Sequence, residues 1–158
     1  MKLKMLALLM AVVPILVVPG AMSAQADDEA GSDAAAMVAE ALRMDQMFID
    51  LYNARKFEEL GARYYAEDAI ALPPNHEPIR GRAAIVEYFR EARDSLGEAE
   101  ISDTLLSSSV SGGLVAIVPQ YSAHQGQLRV VAHELFERQP DGSLRCIHDA
   151  FGFRDPLR

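Results

Sequence analysis

The chain has 158 residues, half of them hydrophobic, and its 23 acidic residues outnumber 15 basic ones, which gives a net charge of −8. This length suits one domain with a single core, and an acidic chain without a basic run disfavours nucleic acid and anionic membranes as partners. The lone cysteine, Cys146, excludes a disulfide within the chain, and we expect a packed, inert thiol rather than a reactive one.

Residues 1–26 have the pattern of an export signal. Two lysines precede an uncharged apolar run over residues 5–18, and residues 24–26, Ala-Gln-Ala, offer the small side chains that a signal peptidase reads. A membrane anchor is the alternative, but the run is shorter than the roughly 20 residues that span a bilayer. We therefore expect a periplasmic or secreted protein that starts near Asp27 and has no membrane attachment. Removing the two lysines lowers 15 basic residues to 13 against 23 acidic ones, a net charge of −10.

Three helices are expected in the first half of the domain. Residues 27–36 are small and acidic and predict a flexible lead-in, so the folded domain is expected to span 37–158. Apolar residues then recur every three or four positions, which predicts one long helix. They are Met37, Ala41, Met44, Phe48 and Leu51. A short helix is expected from Phe57 to Tyr65, and a third between Gly81 and Gly97. The apolar stripe of the third is Ile85, Phe89, Ala92 and Leu96.

The helical period disappears after Gly97. Four short runs rich in β-forming residues follow, and segments rich in turn-forming residues separate them. The runs cover residues 101–109, 114–124, 128–138 and 144–153. Tight turns between successive strands predict an antiparallel meander. Helices that precede strands predict an α+β domain in which the helices cover one face of a sheet.

The last hairpin is predicted to bring two acids together. If Asp141-Gly142 is a two-residue turn, counting back along both strands puts Glu134 directly opposite Asp149. Such neighbours lie about 5 Å apart, and two carboxyls this close in a sheltered pocket do not both ionise easily, which suits acid–base chemistry. Alternatively, the pair faces water or is neutralised by an arginine. The arginines considered are Arg80, Arg82 and Arg129.

The opposite face of this hairpin is predicted to carry His133, Leu135, Cys146 and His148. Two histidines on neighbouring strands could bind a metal, but no third ligand is evident beside them, so we expect no metal site. This mixed patch suits a symmetric partner better than water, which predicts a homodimer. No phosphate-binding loop, nucleophile elbow or metal-binding helix motif is present, and no cofactor is expected.

Several motifs, in this order, resemble the nuclear transport factor 2-like superfamily. They are Tyr52-Asn53-Ala54, Tyr65-Ala66-Glu67-Asp68-Ala69, Ile79-Arg80-Gly81-Arg82-Ala83-Ala84-Ile85 and the closing segment Asp141 to Asp149. The resemblance covers about residues 37–153. It is greatest to secreted members grouped with ketosteroid isomerase-like and SnoaL-like polyketide cyclase-like proteins, the type called domain of unknown function 4440. It implies a cone-shaped, curved antiparallel sheet packed on three N-terminal helices, the cystatin-like α+β roll, with a pocket inside the cone.

The resemblance also suggests which residues line that pocket. The inward-facing candidates are Phe48, Tyr52, Val115, Ile117, Tyr121, Ile147 and Phe151. His76 lies in the Pro-rich loop at the expected pocket mouth, where it would gate or protonate a ligand or be exposed without a role. Glu134 falls near an oxyanion-binding acid of the isomerase. The isomerase's carboxylate base falls at Pro73, which cannot move a proton, so steroid isomerisation by that mechanism is not expected.

Three functions remain open. The first is an exported pocket protein that binds a small apolar or amphipathic molecule without transforming it. The second is a cofactor-independent lyase, isomerase or cyclase that uses Glu134 and Asp149. The third is a homodimerising interaction module. We favour the first, accompanied by dimerisation, because the expected pocket lining is mostly apolar.

Overall fold

The computed structural model describes residues 21–154, and describes side chains from residue 31 onward. The α-helices are α1 (Ala21–Asn53), α2 (Phe57–Tyr64) and α3 (Arg82–Ser95). The six strands are β1 (Tyr65–Leu72), β2 (Ile79–Arg80), β3 (Ser102–Ser111), β4 (Leu114–Ala123), β5 (Leu128–Arg138) and β6 (Leu144–Phe153). Within the described part, no helix combines the length and apolar character needed to cross a membrane.

Helix α1 begins earlier than the sequence predicts. The expected flexible lead-in, residues 27–36, is helical, although most of its side chains from Gly31 to Ala36 are exposed as expected. This stretch is rich in alanine, the strongest helix former, and adding residues to an existing helix requires no new nucleus. The predicted export signal lies largely outside the described residues.

The buried face of α1 follows the predicted stripe. Ala41, Phe48 and Leu51 are buried, joined by Ile49 and Tyr52. The helices α2 and α3 pack closely where α2 carries a glycine. A Cβ atom on Gly61 would lie 2.3 Å from the Cγ2 atom of Val86, so any side chain at position 61 would force Val86 or one of the helices to shift.

The sheet has the strand order β2-β1-β6-β5-β4-β3. Strands β3 to β6 form the predicted antiparallel meander. The expectation of a wholly antiparallel sheet is wrong in one place, since β1 pairs with β6 in parallel and the sheet is mixed. After β1 the chain forms β2, α3 and then the meander. The last strand of the meander, β6, lies beside β1 and runs in the same direction. The helices cover one face, which makes this the predicted α+β domain.

The last hairpin reaches the predicted register by a different route. Gln139 donates its amide to the Ser143 carbonyl, and Arg138 pairs with Leu144, so the turn holds three residues, Pro140 to Gly142, rather than two. Gly142 has φ of 82°, a conformation that a glycine adopts without strain. Ile147 is then an extra residue on β6, where the register shifts between Leu135 and Phe136. This bulge offsets the longer turn.

The bulge also changes which side of the sheet some β6 residues occupy. Cys146 is fully buried on the inner face, paired with Phe136, rather than on the outer face where the two-residue turn had placed it. His133 and His148 are exposed on the outer face, as predicted, and Leu135 is half-buried there. The inner face therefore gains a packed thiol, and the outer patch loses one of its four expected members.

Candidate functional site

A cavity of about 300 Å³ lies between the helices and the inner face of the sheet. Helix α1 contributes Phe48 and Tyr52 to its wall. Helix α3 contributes residues from Tyr88 to Leu96, and strands β4, β5 and β6 supply the opposite wall. Most of the lining is aromatic or aliphatic. Among the described residues, two acidic side chains reach it, Glu134 from β5 and Asp149 from β6.

The two acids are direct cross-strand neighbours, as the sequence predicts. Glu134 is 2% exposed and Asp149 is 3% exposed, so the alternative that they face water is wrong. Arginine does not neutralise them in the described residues: Arg82 donates to the Tyr65 carbonyl, and none of the ion pairs found there includes either acid. The pair is therefore sheltered without a compensating cation.

Tyrosine hydroxyls hold both carboxyl groups. Tyr64 donates to Glu134 Oε2 at 2.6 Å, and Tyr65 donates to Asp149 Oδ2 at 2.6 Å. The two tyrosines end α2 and start β1, so their side chains leave the helix–strand junction in different directions and reach different strands. Each is fully buried. Burial raises the pKa of both phenols well above the ordinary value, which keeps them protonated as donors.

A third buried acid joins this network from α1. The Tyr121 hydroxyl lies 2.6 Å from Glu134 Oε1 and also contacts Asp45 Oδ1. A phenol carries one hydrogen, so it donates to one carboxyl, and the other contact is a hydrogen bond only when that second carboxyl is protonated. Burial raises the pKa of Asp45 to about 7. At least one of the two carboxyls therefore keeps its proton near neutral pH.

The two cavity acids differ in their protonation and in their hydrogen bonding. Burial, and then the nearby charge of Asp149, raise the pKa of Glu134 well above its ordinary value. Burial raises the pKa of Asp149 to about 6, although the hydrogen bond from Tyr65 lowers it. Asp149 is therefore mostly ionised at neutral pH while Glu134 retains a proton. Asp149 lines the cavity, and its Oδ1 atom is buried without a hydrogen-bond partner.

Aromatic rings surround the acid end of the cavity. Phe89 stacks on Phe151 with ring centroids 5.7 Å apart, and on Tyr65 at 6.2 Å. Tyr88 packs edge-on to Phe89 at 5.5 Å and lies 6.0 Å from Phe151. These contacts join α3 to β6 and fix the rings beside Asp149. Asp149 thus lies beside a cluster of aromatic rings in a cavity whose lining is mostly apolar.

The predicted pocket residues divide into two groups. Phe48, Tyr52, Tyr121 and Phe151 line the cavity together with the two acids. Four others do not line it. Val115 and Ile117 face inward as expected but are fully buried in the packed core. Ile147 is the bulge residue and is half-buried.

His76 is exposed and does not line the cavity. Its Nδ1 lies 2.6 Å from the Glu77 carbonyl, to which it donates in the matching tautomer. The imidazole packs edge-on to Tyr88, a cavity residue, with ring centroids 5.7 Å apart. The loop therefore touches the back of the cavity wall, and the gating role stays a prediction. Among the described residues, no group of three or more His, Cys, Asp or Glu side chains could hold a metal ion.

Sequence reasoning missed Asp45, Tyr64 and Tyr65 as site residues. Asp45 gave a signal: it stands four residues after Ala41 and three before Phe48, on the buried stripe of α1, where a carboxyl needs a partner. The helix predicted from Phe57 to Tyr65 includes both Tyr64 and Tyr65. Two adjacent tyrosines at an element junction are compatible with simple core packing, so their role required the register of β5 and β6 against β1.

The sequence comparison is consistent with this architecture. Residues 46–147, more than half of the chain, match the SnoaL-like domain. The chain belongs to the SnoaL-like domain family. The members of this family share the nuclear transport factor 2-like fold that the motifs resemble. No curated protein matches the sequence.

Solved structures support the same fold at low identity. A Nostoc punctiforme domain of unknown function with a cystatin-like fold is 13% identical, with a TM-score of 0.63 over 77% of this chain and 78% of that one. A Novosphingobium aromaticivorans protein, described as NTF2-like with a cystatin-like fold, is 16% identical, with a TM-score of 0.59 over 89% and 94%. ActVI-ORFA of Streptomyces coelicolor is 14% identical, with a TM-score of 0.57 over 75% and 97%. These similarities establish the fold of the domain. A ligand has to be argued from the geometry of the cavity.

Proposed function

We propose that this protein is an exported binding protein for a small apolar or amphipathic molecule held in the cavity. The observation that carries the proposal is the cavity itself, about 300 Å³ with an aromatic wall and one free carboxylate oxygen. Such a volume is in the range of small-molecule sites, which are mostly apolar with a few fixed polar groups. The apolar wall supplies affinity, and Asp149 fixes the orientation of a donor on the ligand.

Filling the cavity tests this function. Ala132 on β5 and Ala92 on α3 face the cavity from opposite walls, so Ala132→Phe or Ala92→Phe puts a ring into the space that the ligand needs. N-phenyl-1-naphthylamine, a neutral dye that fluoresces in apolar surroundings, is the probe. We expect the unaltered protein to increase its fluorescence and both variants to lose most of that increase.

The matched control is Ala83→Phe, on an exposed position of α3. It should bind the dye as well as the unaltered protein. Circular dichroism of each variant checks that the fold survives. Dye binding that is absent in the unaltered protein, or equal in all four proteins, would contradict a cavity ligand.

A second candidate function is supported by the unpartnered oxygen of Asp149. A carboxylate with a pKa raised to about 6 by burial is suited to take a proton from a carbon acid, and the neighbouring Glu134 can return one. This is the chemistry of a cofactor-independent lyase, isomerase or cyclase. The test uses the molecule extracted from protein purified from its native source, incubated with fresh protein in deuterium oxide. Deuterium entering a carbon position, and its loss in Asp149→Asn, would support turnover.

A further inference from the structure

The cavity combines many aromatic rings with negative charge and lacks positive charge. Seven of its lining residues are aromatic, and the carboxylic acids among the described lining residues are Glu134 and Asp149. Within the part of the chain that the structure describes, no lysine, arginine or histidine lines the cavity. Asp45 adds a third carboxyl behind Tyr121. In the described residues, none of the three acids takes part in an ion pair.

From this arrangement, we propose that the ligand is a small hydrophobic organic cation, an amine or quaternary ammonium, with its nitrogen between Asp149 Oδ1 and the rings of Tyr88, Phe89 and Phe151. The inference rests on the proposed binding function and specifies the chemical class of the ligand. The body of the ligand occupies the apolar part of the cavity toward Leu96 and Val130.

The Asp149 carboxylate favours a ligand with a cationic group over a ligand with a neutral hydrogen-bond donor. A hydroxyl group would satisfy the hydrogen-bonding capacity of Oδ1 but would leave the buried charge uncompensated. A protonated amine, which carries N–H groups, satisfies both at once, and a quaternary ammonium compensates the charge alone. Folding has already removed Asp149 from water, so the site is preorganised and the ligand brings only its own desolvation cost.

The rings support the same choice. The face of an aromatic ring is electrostatically negative and attracts an ammonium group, most strongly when the pair is desolvated. Tyr88, Phe89 and Phe151 are held against one another and lie at the acid end of the chamber. An anionic ligand would meet the carboxylate and these ring faces and would be excluded. The net negative charge of the chain also concentrates cations near it.

Protonation of Asp149 provides a second signature. The titratable groups around this carboxyl are Tyr65 from β1, Tyr88 from α3, Glu134 from β5 and Cys146 from its own strand, with Asp45 farther away on α1. Burial is the main cause of the raised pKa of all four neighbours: the two phenols, the Cys146 thiol and the Glu134 carboxyl. These four groups therefore stay neutral near pH 7. Asp149 is therefore the group at this end of the cavity that loses its charge as the pH falls through about 6, after the more distant Asp45 has taken its proton at about 7.

A size-matched series tests the proposal by displacement of N-phenyl-1-naphthylamine. The series is 4-phenylbutylamine, a cation, 4-phenylbutanol, a neutral molecule, and 4-phenylbutanoate, an anion. At about pH 8 we expect the amine to displace the dye at a concentration roughly tenfold or more below the alcohol, in line with the strength of a desolvated cation–π contact. The anion should be weakest. Lowering the pH to about 5 should weaken the amine and leave the alcohol unchanged.

Asp149→Asn should remove the preference for the amine while the alcohol still binds. Asp68→Asn, an exposed acid on β1, is the matched control and should keep the preference. If Asp149→Asn does not fold, the pH dependence of the unaltered protein decides the matter. Equal or tighter displacement by the alcohol at about pH 8 would overturn the cation and leave the cavity function intact. Failure of the dye itself to bind would instead remove the proposed function.

Discussion

Asp149 and Glu134 lie in one sheltered environment, so removal of the charge on one is expected to change the pKa of the other. Asp149→Asn removes the second-largest cause of the raised pKa of Glu134, the charge of its neighbour. We expect the Glu134 pKa to move toward its ordinary value, measured by NMR titration of the carboxyl carbons. Stability at neutral pH should stay the same or rise by up to about 2 kcal/mol, since a buried charge disappears and an amide oxygen can still accept from Tyr65.

The exposed substitution Asp68→Asn should change neither quantity. A carboxyl titration in which Glu134 keeps its raised pKa in the Asp149→Asn variant would show that the two acids are not coupled. Burial alone would then account for the pKa of Glu134.

The buried acids also predict an unusual dependence of stability on pH. Burial raises the folded-state pKa of Asp45 to about 7 and that of Asp149 to about 6, both from 3.8 in the unfolded chain. Between pH values of about 4 and about 7, the folded protein binds more protons than the unfolded chain. The free energy of unfolding therefore falls as the pH rises through this range. Each retained proton contributes a slope of about 1.4 kcal/mol per pH unit.

Urea unfolding at about pH 5 and about pH 8 measures this slope. Asp45→Asn should flatten it because one of the titrating groups is gone. Asp141, whose pKa is lowered by its hydrogen bonds from Ser143, is exposed and is expected to oppose the trend only weakly and at lower pH. Higher stability at pH 8 than at pH 5 would contradict the buried-acid network.

At the residue scale, the sequence predicted the acid pair but not its partners. The pairing of Glu134 with Asp149 could be predicted by counting residues along one hairpin, because the two strands are close together in the sequence. The donors Tyr64 and Tyr65 come from another element about 70 and 84 positions earlier in the chain. Their contacts depend on β6 returning beside β1, and no periodicity in the sequence encodes that pairing.

The contact between α2 and α3 gives a prediction at the scale of elements. Gly61→Ala would gain about 1 kcal/mol of helix propensity, but its Cβ would lie 2.3 Å from Val86 Cγ2. Overpacking of this kind usually costs about 1–3 kcal/mol, so we expect net destabilisation in urea unfolding. The double variant Gly61→Ala with Val86→Ala should recover part of the loss.

Gly31→Ala is the matched control within a helix. A Cβ at position 31 meets nothing within 4 Å, so this change should leave stability unchanged or raise it slightly. Equal effects of the two glycine substitutions would mean that the helices separate enough to accept a methyl group. The close packing of α2 on α3 would then contribute little to the free energy of unfolding.

The elements were predictable because each has a strong local pattern. The runs that became β5 and β6 were predicted with the bounds that the structure shows, and α2 and α3 within a residue or two. The turn was less predictable, since Asp141-Gly142 fits both a two-residue turn and part of a three-residue one. The predicted register for Glu134 held only because the bulge at Ile147 compensates for the extra turn residue. Cys146, which lies between the turn and the bulge, was assigned to the wrong face.

The outer face of the sheet supports a prediction about assembly. Val131 and Leu135 are half-buried there on either side of the exposed His133, and the exposed His148 pairs with Leu135, which makes a patch of mixed apolar and polar character. We propose that this face pairs two copies of the chain, and expect light scattering to report twice the monomer mass. Leu135→Glu should yield monomers, whereas Ser108→Glu on the exposed edge strand β3 should not. A monomer in the unaltered protein would contradict this assembly.

Export remains a prediction for the whole molecule. Cells that express the full chain should contain a mature form starting near Asp27 outside the cytoplasm, because the apolar run ends in small residues. N-terminal sequencing of fractionated protein measures this. A cytoplasmic product that still begins at Met1 would contradict it.

The position of β6 has a consequence for how the molecule forms. The last strand of the chain lies between β1 and β5, so it joins the first strand to the meander. Until residues 144–153 are synthesised, the growing chain can form only two separate pieces of sheet, and Glu134 has no neighbouring acid. Pairing between segments so far apart in sequence slows folding. The sheet and the part of the cavity wall that carries Asp149 are therefore completed in the same late step, and deletion of residues 144–153 should abolish both together.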